Sequence, residues 1–346
     1  MTDASRFIII GENIHCTRKV KRGGTRAKAL DDGTEVLFWT DEGTERHLPI
    51  PEPVRRGQAF EGGMIPHVAA AVEAGMHGLP DEQDAARAYI AWLARRQLDR
   101  GAAFLDVNVD ELTPDLDRRN EAMAWLVPVV QQAADVPLSI DSSEISTLQI
   151  GLKTYDADKG GGPAMINSAS LERPDVLAFA AEAGCPTILL ASSPTGMPET
   201  AEQRIDNSRQ IIDRATAAGL GLDKLYLDPL VFPASSKPEA PVAVLDAIRA
   251  IRQQYGPDIH IAGGHSNVSF GLPNRRLLNA VFVALCIDAG GDAGLVDPIT
   301  CHPDDIARLD RDSEPVQLAE AGFLGKDMFF AEYLMAYRDG RLNVEF

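Results

Sequence analysis

Several short apolar runs in this 346-residue sequence end on an acid or an amide. Leu105-Asp106-Val107-Asn108-Val109, Ser139-Ile140-Asp141-Ser142-Ser143, Met165-Ile166-Asn167-Ser168 and Tyr226-Leu227-Asp228-Pro229-Leu230 are four of them, and Gly263-Gly264-His265-Ser266-Asn267 follows a further run. One Asp after a strand ordinarily caps the next helix. Taken together, Asp106, Asp141, Asn167, Asp228 and Asn267 form a set of acids and amides with no Lys or Arg of its own. A carboxylate takes two parallel hydrogen bonds from an N–H and a neighbouring amino group, and an amide matches a ring nitrogen or carbonyl beside them. Such a set suits a neutral heterocycle better than a phosphate ester.

The elements that must position these residues are legible from periodicity. Apolar runs at Phe7–Ile10, Phe104–Val109, Leu138–Ile140, Ala164–Ile166, Thr187–Leu190, Leu225–Leu227, His260–Ala262 and Ala293–Val296 read as buried parallel strands. Between them run amphipathic segments, with Ala85, Tyr89, Trp92 and Leu93 on one helical face and Val244, Leu245, Ile248 and Ile251 on another. Gly101, Gly184, Gly219, Gly256 and Gly290 each stand between a helix and the next strand, where a left-handed residue ends a helix at least steric cost. No G-x-G-x-x-G follows the first strand, so the expected α/β fold is a closed (β/α)8 TIM barrel rather than a doubly wound sheet. In a barrel the acids and amides would converge at the C-terminal mouth. The expected organisation is a single domain over residues 1–346. Roughly seventy residues separate the first strand from the helix near Glu82, far more than an ordinary βα loop. An insertion over about residues 17–63 is expected, with basic residues at Arg18, Lys19, Lys21, Arg22, Arg26 and Lys28 and a hairpin turning at Asp41-Glu42-Gly43.

Composition narrows the function classes. Thirty-three Lys and Arg against 51 Asp and Glu give a net charge of −18, a field that repels nucleic acid and anionic membrane surfaces. The longest apolar run, Ala280–Ile287, is too short to span a bilayer. The apolar stretch after Met1-Thr2-Asp3-Ala4-Ser5-Arg6 is too short for a secretory signal, so a cytoplasmic location is expected. Cys16, Cys185, Cys286 and Cys301 have no paired or zinc-type spacing and are expected to be free thiols; no metal site is expected. Asp258-Ile259-His260-Ile261-Ala262-Gly263 matches a cobalamin-ligating D-x-H-x-x-G pattern, but on a barrel strand and without the downstream S-x-L element. The match is therefore read as coincidence.

The strand-end segments, with Ser266-Asn267-Val268-Ser269-Phe270-Gly271-Leu272-Pro273-Asn274-Arg275 the most specific, resemble the pterin-binding methyltransferases. These are the methyltetrahydrofolate:corrinoid protein methyltransferases, related to the folate domain of cobalamin-dependent methionine synthase and more distantly to dihydropteroate synthase. The resemblance spans residues 6–15 and about 80–300. It implies an enzyme that moves a methyl group between N5 of tetrahydrofolate and the cobalt of a corrinoid carried by a partner protein. By the same resemblance Asp141, Asn167 and Asp228 hold the pterin ring, with Asp228 on its N3 and 2-amino edge, Asn267 assists proton transfer at N5, and Asp106 and Asn108 are pocket members. A homodimer is likewise a family expectation. The sequence departs from the family in its long insertion and in His265, which stands where a small or apolar residue is expected. Dihydropteroate synthase is an alternative, disfavoured because Leu230 follows Asp228-Pro229 where that family has Gly; a noncatalytic folate-binding barrel is another.

Overall fold

The computed structural model describes residues 6–344, so the opening segment Met1–Ser5 and residues 345–346 lie outside the described residues. In chain order the strands are β1 (Ile8–His15), β2 (Lys19–Lys21), β3 (Ala27–Ala29), β4 (Glu35–Asp41), β5 (Thr44–Pro49), β6 (Met64–Pro66), β7 (Phe104–Asn108), β8 (Leu138–Asp141), β9 (Met165–Ala169), β10 (Thr187–Leu190), β11 (Leu225–Asp228), β12 (His260–Ile261) and β13 (Ala293–Val296). Eight of them form one sheet in the order β12-β11-β10-β9-β8-β7-β1-β13, the neighbour order of a (β/α)8 barrel, with the insertion's strands in two small sheets. The chain forms two compact units, residues 11–164 and residues 1–10 with 165–346.

Within residues 11–164, β7 and β8 pair in parallel with Asn108 beside Asp141 and Asp106 beside Ser139. Helix Leu116–Gln131 starts on Asp115, whose carboxylate accepts from the N–H groups of Asp117 and Arg118 and satisfies otherwise orphaned donors. The insertion is clamped at its two ends by the antiparallel pairing of β2 with β6. Its hairpin, β4 with β5, turns through Glu42 and Gly43, both at positive φ (48° and 79°), the two-residue turn whose twist matches that of the strands. The hairpin is seated by aromatic contact: the Trp39 ring meets Tyr89 at 4.9 Å, and Tyr89 stacks on Trp92 at 5.6 Å.

Three of the six residues in the insertion's basic cluster are used in holding it. Arg22 forms a bidentate pair with Glu35 (2.6 and 2.8 Å), Arg26 donates to the buried Tyr89 hydroxyl (2.5 Å), and Arg18 pairs with Glu12 (2.5 Å). Lys28 lies over the Phe38 ring, and Lys19 and Lys21 project from the exposed side of β2 while Val20 turns inward.

Within the other unit, β10 pairs with both β9 and β11, and β11 with β12. The 15-residue helix Arg275–Ala289 is buried from Leu277 to Cys286, which accounts for the apolar run there; no helix among the described residues is long and apolar enough to cross a membrane. It packs through Phe282 on Phe323, which in turn meets Phe330. The five glycines read as helix stops all have positive φ, from 65° at Gly184 to 106° at Gly290. At Gly290 a side chain would meet Arg252 as well. All four cysteines are buried free thiols.

The N-terminal ends of the last two barrel strands are tied by Asp292. Its Oδ1 accepts from Arg252 (2.9 Å) and the Ile261 N–H (2.8 Å), and its Oδ2 contacts Nδ1 of His260 (2.8 Å), whose ring stacks on Tyr226 at 4.4 Å. The D-x-H-x-x-G match thus places its histidine in a structural network. Partial burial opposes the charge of Asp292, but His260, the Ile261 N–H and Arg252 more than compensate and hold its pKa below the ordinary 3.8. Asp292→Ala should lower stability by about 1–3 kcal/mol above pH ~4. The gap to the parent protein should close as pH falls further and Asp292 takes up its proton. Denaturant melts across pH check this, and equal stability at pH 7 would contradict it.

Candidate functional site

The site-forming side chains of residues 11–164 stand at the C-terminal ends of β1, β7 and β8. Strand β1 runs on to His15, five residues beyond the apolar stretch Phe7–Ile10 that signals it. Asp106 and Asn108 alternate with apolar Leu105 and Val107 along β7, so they share one face, and both are buried. Because the parallel register sets Asn108 beside Asp141, the Asn108 Nδ2 donates to Asp141 Oδ2 at 2.8 Å. The same oxygen lies 3.4 Å from His15 Nε2. On the far side of the imidazole, Nδ1 accepts from the Thr17 N–H (3.2 Å) and lies 2.7 Å from the Thr17 hydroxyl. The proton of neutral His15 therefore sits on Nε2, toward Asp141. Burial works to lower the pKa of this imidazole, but the hydrogen bond and charge of Asp141, with Asp106 beyond, outweigh it and the opposing Arg18, and raise it above 6.5. Asp110 braces the next loop, accepting from the Ser142 hydroxyl (2.6 Å) and the Ser143 N–H (2.7 Å). Nearby, a cavity of about 580 Å³ is bounded by Thr17, Lys19, Gln58, Glu111 and Arg118, from the loops after β1 and β7 and from the insertion.

In the second unit the corresponding side chains are Asn167, Asp228 and Asn267. Asn167 is buried within β9, and the chain after it is fixed by Arg173, which donates to the Ser168 carbonyl (2.5 Å) and hydroxyl (3.2 Å). Asp228 ends β11 with only 8% of its surface exposed. Burial pushes its carboxyl up to about pKa 6, against the N–H groups of Leu230 and Gly264 and the charge of Arg204. The Leu230 N–H reaches Asp228 Oδ1 at 2.7 Å because Leu230 adopts a left-handed backbone (φ 66°). Glycine holds that conformation without strain, whereas Leu230 adopts it with a side chain. Arg204 is wholly buried, yet its guanidinium donates to the carbonyls of Glu199, Thr200 and Leu230 and forms no ion pair among the described residues. It holds the turn that carries Asp228.

Asn267 lies on an exposed turn of the 3-10 helix His265–Ser269, and its amide makes no side-chain hydrogen bond among the described residues. The turn itself is braced by Arg275, which donates to the Ser269 hydroxyl (3.0 Å) and Ser266 carbonyl (3.0 Å), and by the Ser269 hydroxyl on Asn279 (2.6 Å). His265 points away from solvent, its ring against Phe7 and Phe282, and burial lowers its pKa to about 4. It is a neutral packing residue, the ordinary role for a lone histidine.

The structure thus hydrogen-bonds Asn108 to Asp141, sets Asp106 on the same face of β7, and places Asn167 and Asp228 in strands of the other unit with Asn267 in the 3-10 helix that follows β12. His15 and Arg204 belong to these arrangements and were not signalled. His15 sits among Gly11-Glu12-Asn13, poor strand formers that hide the strand's end, while Arg204 looks in sequence like any polar helix residue.

Residues 82–297 match the pterin binding enzyme family. Over 286 residues the chain is 30% identical to a methylcorrinoid:tetrahydrofolate methyltransferase of Eubacterium limosum, covering 81% of this chain and 95% of that protein. It is 29% identical over 219 residues to methionine synthase of Mycobacterium tuberculosis, covering 59% of this chain and 18% of that longer protein. Among solved structures, a dihydropteroate synthase of Coxiella burnetii in complex with pteroic acid superposes with a TM-score of 0.50 at 14% identity, covering 66% of this chain and 83% of that one. A dihydropteroate synthase of Stenotrophomonas maltophilia gives the same TM-score at 18% identity, covering 66% of this chain and 87% of its own. At these identities the structures speak to the fold alone.

An acid whose pKa is higher in the folded state than unfolded costs stability when ionised. For Asp228 the cost is absent below pH ~4 and complete above pH ~6, on the order of 3 kcal/mol. Asp228→Asn, which keeps an acceptor for the Leu230 N–H, should raise the melting temperature of the ligand-free protein at pH 7 and leave it unchanged near pH 3.5. Scanning calorimetry at the two pH values tests this; an unchanged or lower melting temperature at pH 7 would show that the buried charge is not the cost assigned to it.

Proposed function

The chain belongs to the pterin binding enzymes, and from that premise we propose that it moves a methyl group between N5 of tetrahydrofolate and the cobalt of a corrinoid carried by another protein. The observation that carries the reading is Asp228: a buried carboxylate held by main-chain N–H groups, with no cation paired to it among the described residues. Such a group is suited to the paired donors of a pterin, its N3–H and 2-amino group, rather than to a phosphate ester. Asp141 and Asn167 complete the proposed pterin contacts, with Asp106 and Asn108 supporting them. The activity for which the Eubacterium limosum relative is named supports the same reaction class.

The methyl group passes without its bonding electron pair. When tetrahydrofolate accepts it, the N5 lone pair forms the new bond, cobalt keeps the pair of the old one and N5 releases its proton. In the reverse direction N5 must gain a proton before it can leave. Asn267, with an uncommitted amide on an exposed turn, is assigned to the hydrogen-bond network at N5. Positioning and one proton account for the chemistry required of this chain.

Calorimetry with tetrahydrofolate, and single-turnover transfer from free methylcobalamin, test the reading. Binding without transfer would favour the noncatalytic folate barrel. Asn267→Ala should slow single-turnover transfer about tenfold or more while changing folate affinity little, because its contact to N5 strengthens only as the proton moves. Unchanged transfer with weaker binding would move Asn267 to ground-state recognition.

The surface proposed for an acidic corrinoid protein is the exposed side of β2. Lys19→Glu with Lys21→Glu should spare transfer with free cobalamin and slow transfer with the cognate corrinoid protein, most strongly at low salt. Equal rates with both acceptors at every salt concentration would leave β2 outside that interface.

A further inference from the structure

Asp141 differs from the other strand-end acids in how it is held. It is about one-fifth exposed, and its Oδ2 is engaged twice, by Asn108 Nδ2 at 2.8 Å and by His15 Nε2 at 3.4 Å. Its Oδ1 carries no hydrogen bond among the described residues. One oxygen is tied back and the other is left for a ligand.

On the pterin reading above, we propose that His15 is a positioning residue: it fixes the Asp141 carboxylate so that Oδ1 is presented to the substrate's N–H donors. The imidazole is held for this task from behind. Thr17 supplies both an N–H and a hydroxyl to Nδ1, and the hydroxyl can turn to accept once Nδ1 is protonated, so the ring keeps its place in either charge state. The charged groups facing His15 are Asp141 and Asp106, which favour its proton, and Arg18, which opposes it. Arg18 is itself paired with Glu12, and its Nε donates to the Glu12 carbonyl at 3.0 Å. A ring serving only to pack would be buried among apolar neighbours, as His265 is; His15 remains 23% exposed and bonded at both nitrogens.

The recognition test uses the whole chain, with tetrahydrofolate titrated by calorimetry. His15→Phe keeps the volume and loses both polar ends, and it should weaken binding about tenfold. His15→Gln keeps a donor toward Asp141 and an acceptor toward Thr17, and it should recover binding to within about threefold of the parent. In an Asp141→Asn background His15→Phe should cost little more, because the group it positions is already altered. Should H15F not fold, His15→Ala takes its place in the same comparison. Parent-like affinity in H15F, no recovery in H15Q, or a full additional loss in the Asp141→Asn background would each overturn the proposal and leave the pterin reading intact. A parent protein without affinity for tetrahydrofolate would overturn the pterin reading itself.

Discussion

A carboxylate kept in a buried site without a paired cation is the constraint from which much of the second unit's organisation follows. The charge of Asp228 is met by N–H groups of Leu230 and Gly264, which solvate it only in part and leave its pKa near 6. The Leu230 N–H reaches the carboxylate because the chain turns sharply after β11, and Leu230 accepts a left-handed backbone to let it do so. Arg204 is spent on the carbonyls of that turn and not on the acid. Had its guanidinium closed on Asp228, the carboxylate would be comfortable and its acceptors occupied. The arrangement instead preserves an acceptor whose desolvation has already been met by the folding of the whole unit, the condition under which a neutral N–H donor pair is discriminated best.

The two ends of the parallel strands divide the labour. At the N-terminal ends, Asp292 is saturated by Arg252, His260 and the Ile261 N–H, and the result is a fastening. At the C-terminal ends, Asp141 is engaged by its own unit at Oδ2 alone among the described residues, and Asp228 is met by the main-chain N–H groups of Leu230 and Gly264. The same residue type is structural where its lone pairs are filled and available where they are not. Register decides which neighbours an acid has: Asn108 reaches Asp141 because the β7 and β8 pairing sets them side by side.

Much of this was legible in the sequence, because the signals were local. A β-branched run ending on an acid marks a strand and its C-terminal end together, and glycines requiring positive φ mark the helix stops whatever their surroundings. The hairpin turn at Glu42-Gly43 is dictated by the same backbone chemistry. Illegible were the features that depend on partners distant in sequence. The end of β1 is held as strand by its neighbours despite Gly11-Glu12-Asn13, so His15 looked like a loop residue when it is a strand end facing Asp141. The basic cluster of the insertion looked like one charged surface, yet Arg18, Arg22 and Arg26 are consumed by Glu12, Glu35 and Tyr89, none of which is adjacent in sequence.

That redistribution changes what the insertion can do. An excursion of this length would be entropically expensive to order if tethered only at its ends, although the closure cost itself grows slowly with length. Here β2 and β6 pair at the entry and exit, the Trp39, Tyr89 and Trp92 rings seat the hairpin on helix Pro80–Leu98, and Arg26 donates to the buried Tyr89 hydroxyl, which also meets His67 Nδ1. The consequence is an appendage held at several points, in which Lys19 and Lys21 of the basic cluster stand on one short strand instead of a mobile arm. A partner meeting them loses little conformational entropy of this chain on binding, which favours orientation over indiscriminate attraction. In a molecule of net charge −18, two fixed cations define a place of approach more sharply than six on a flexible loop would.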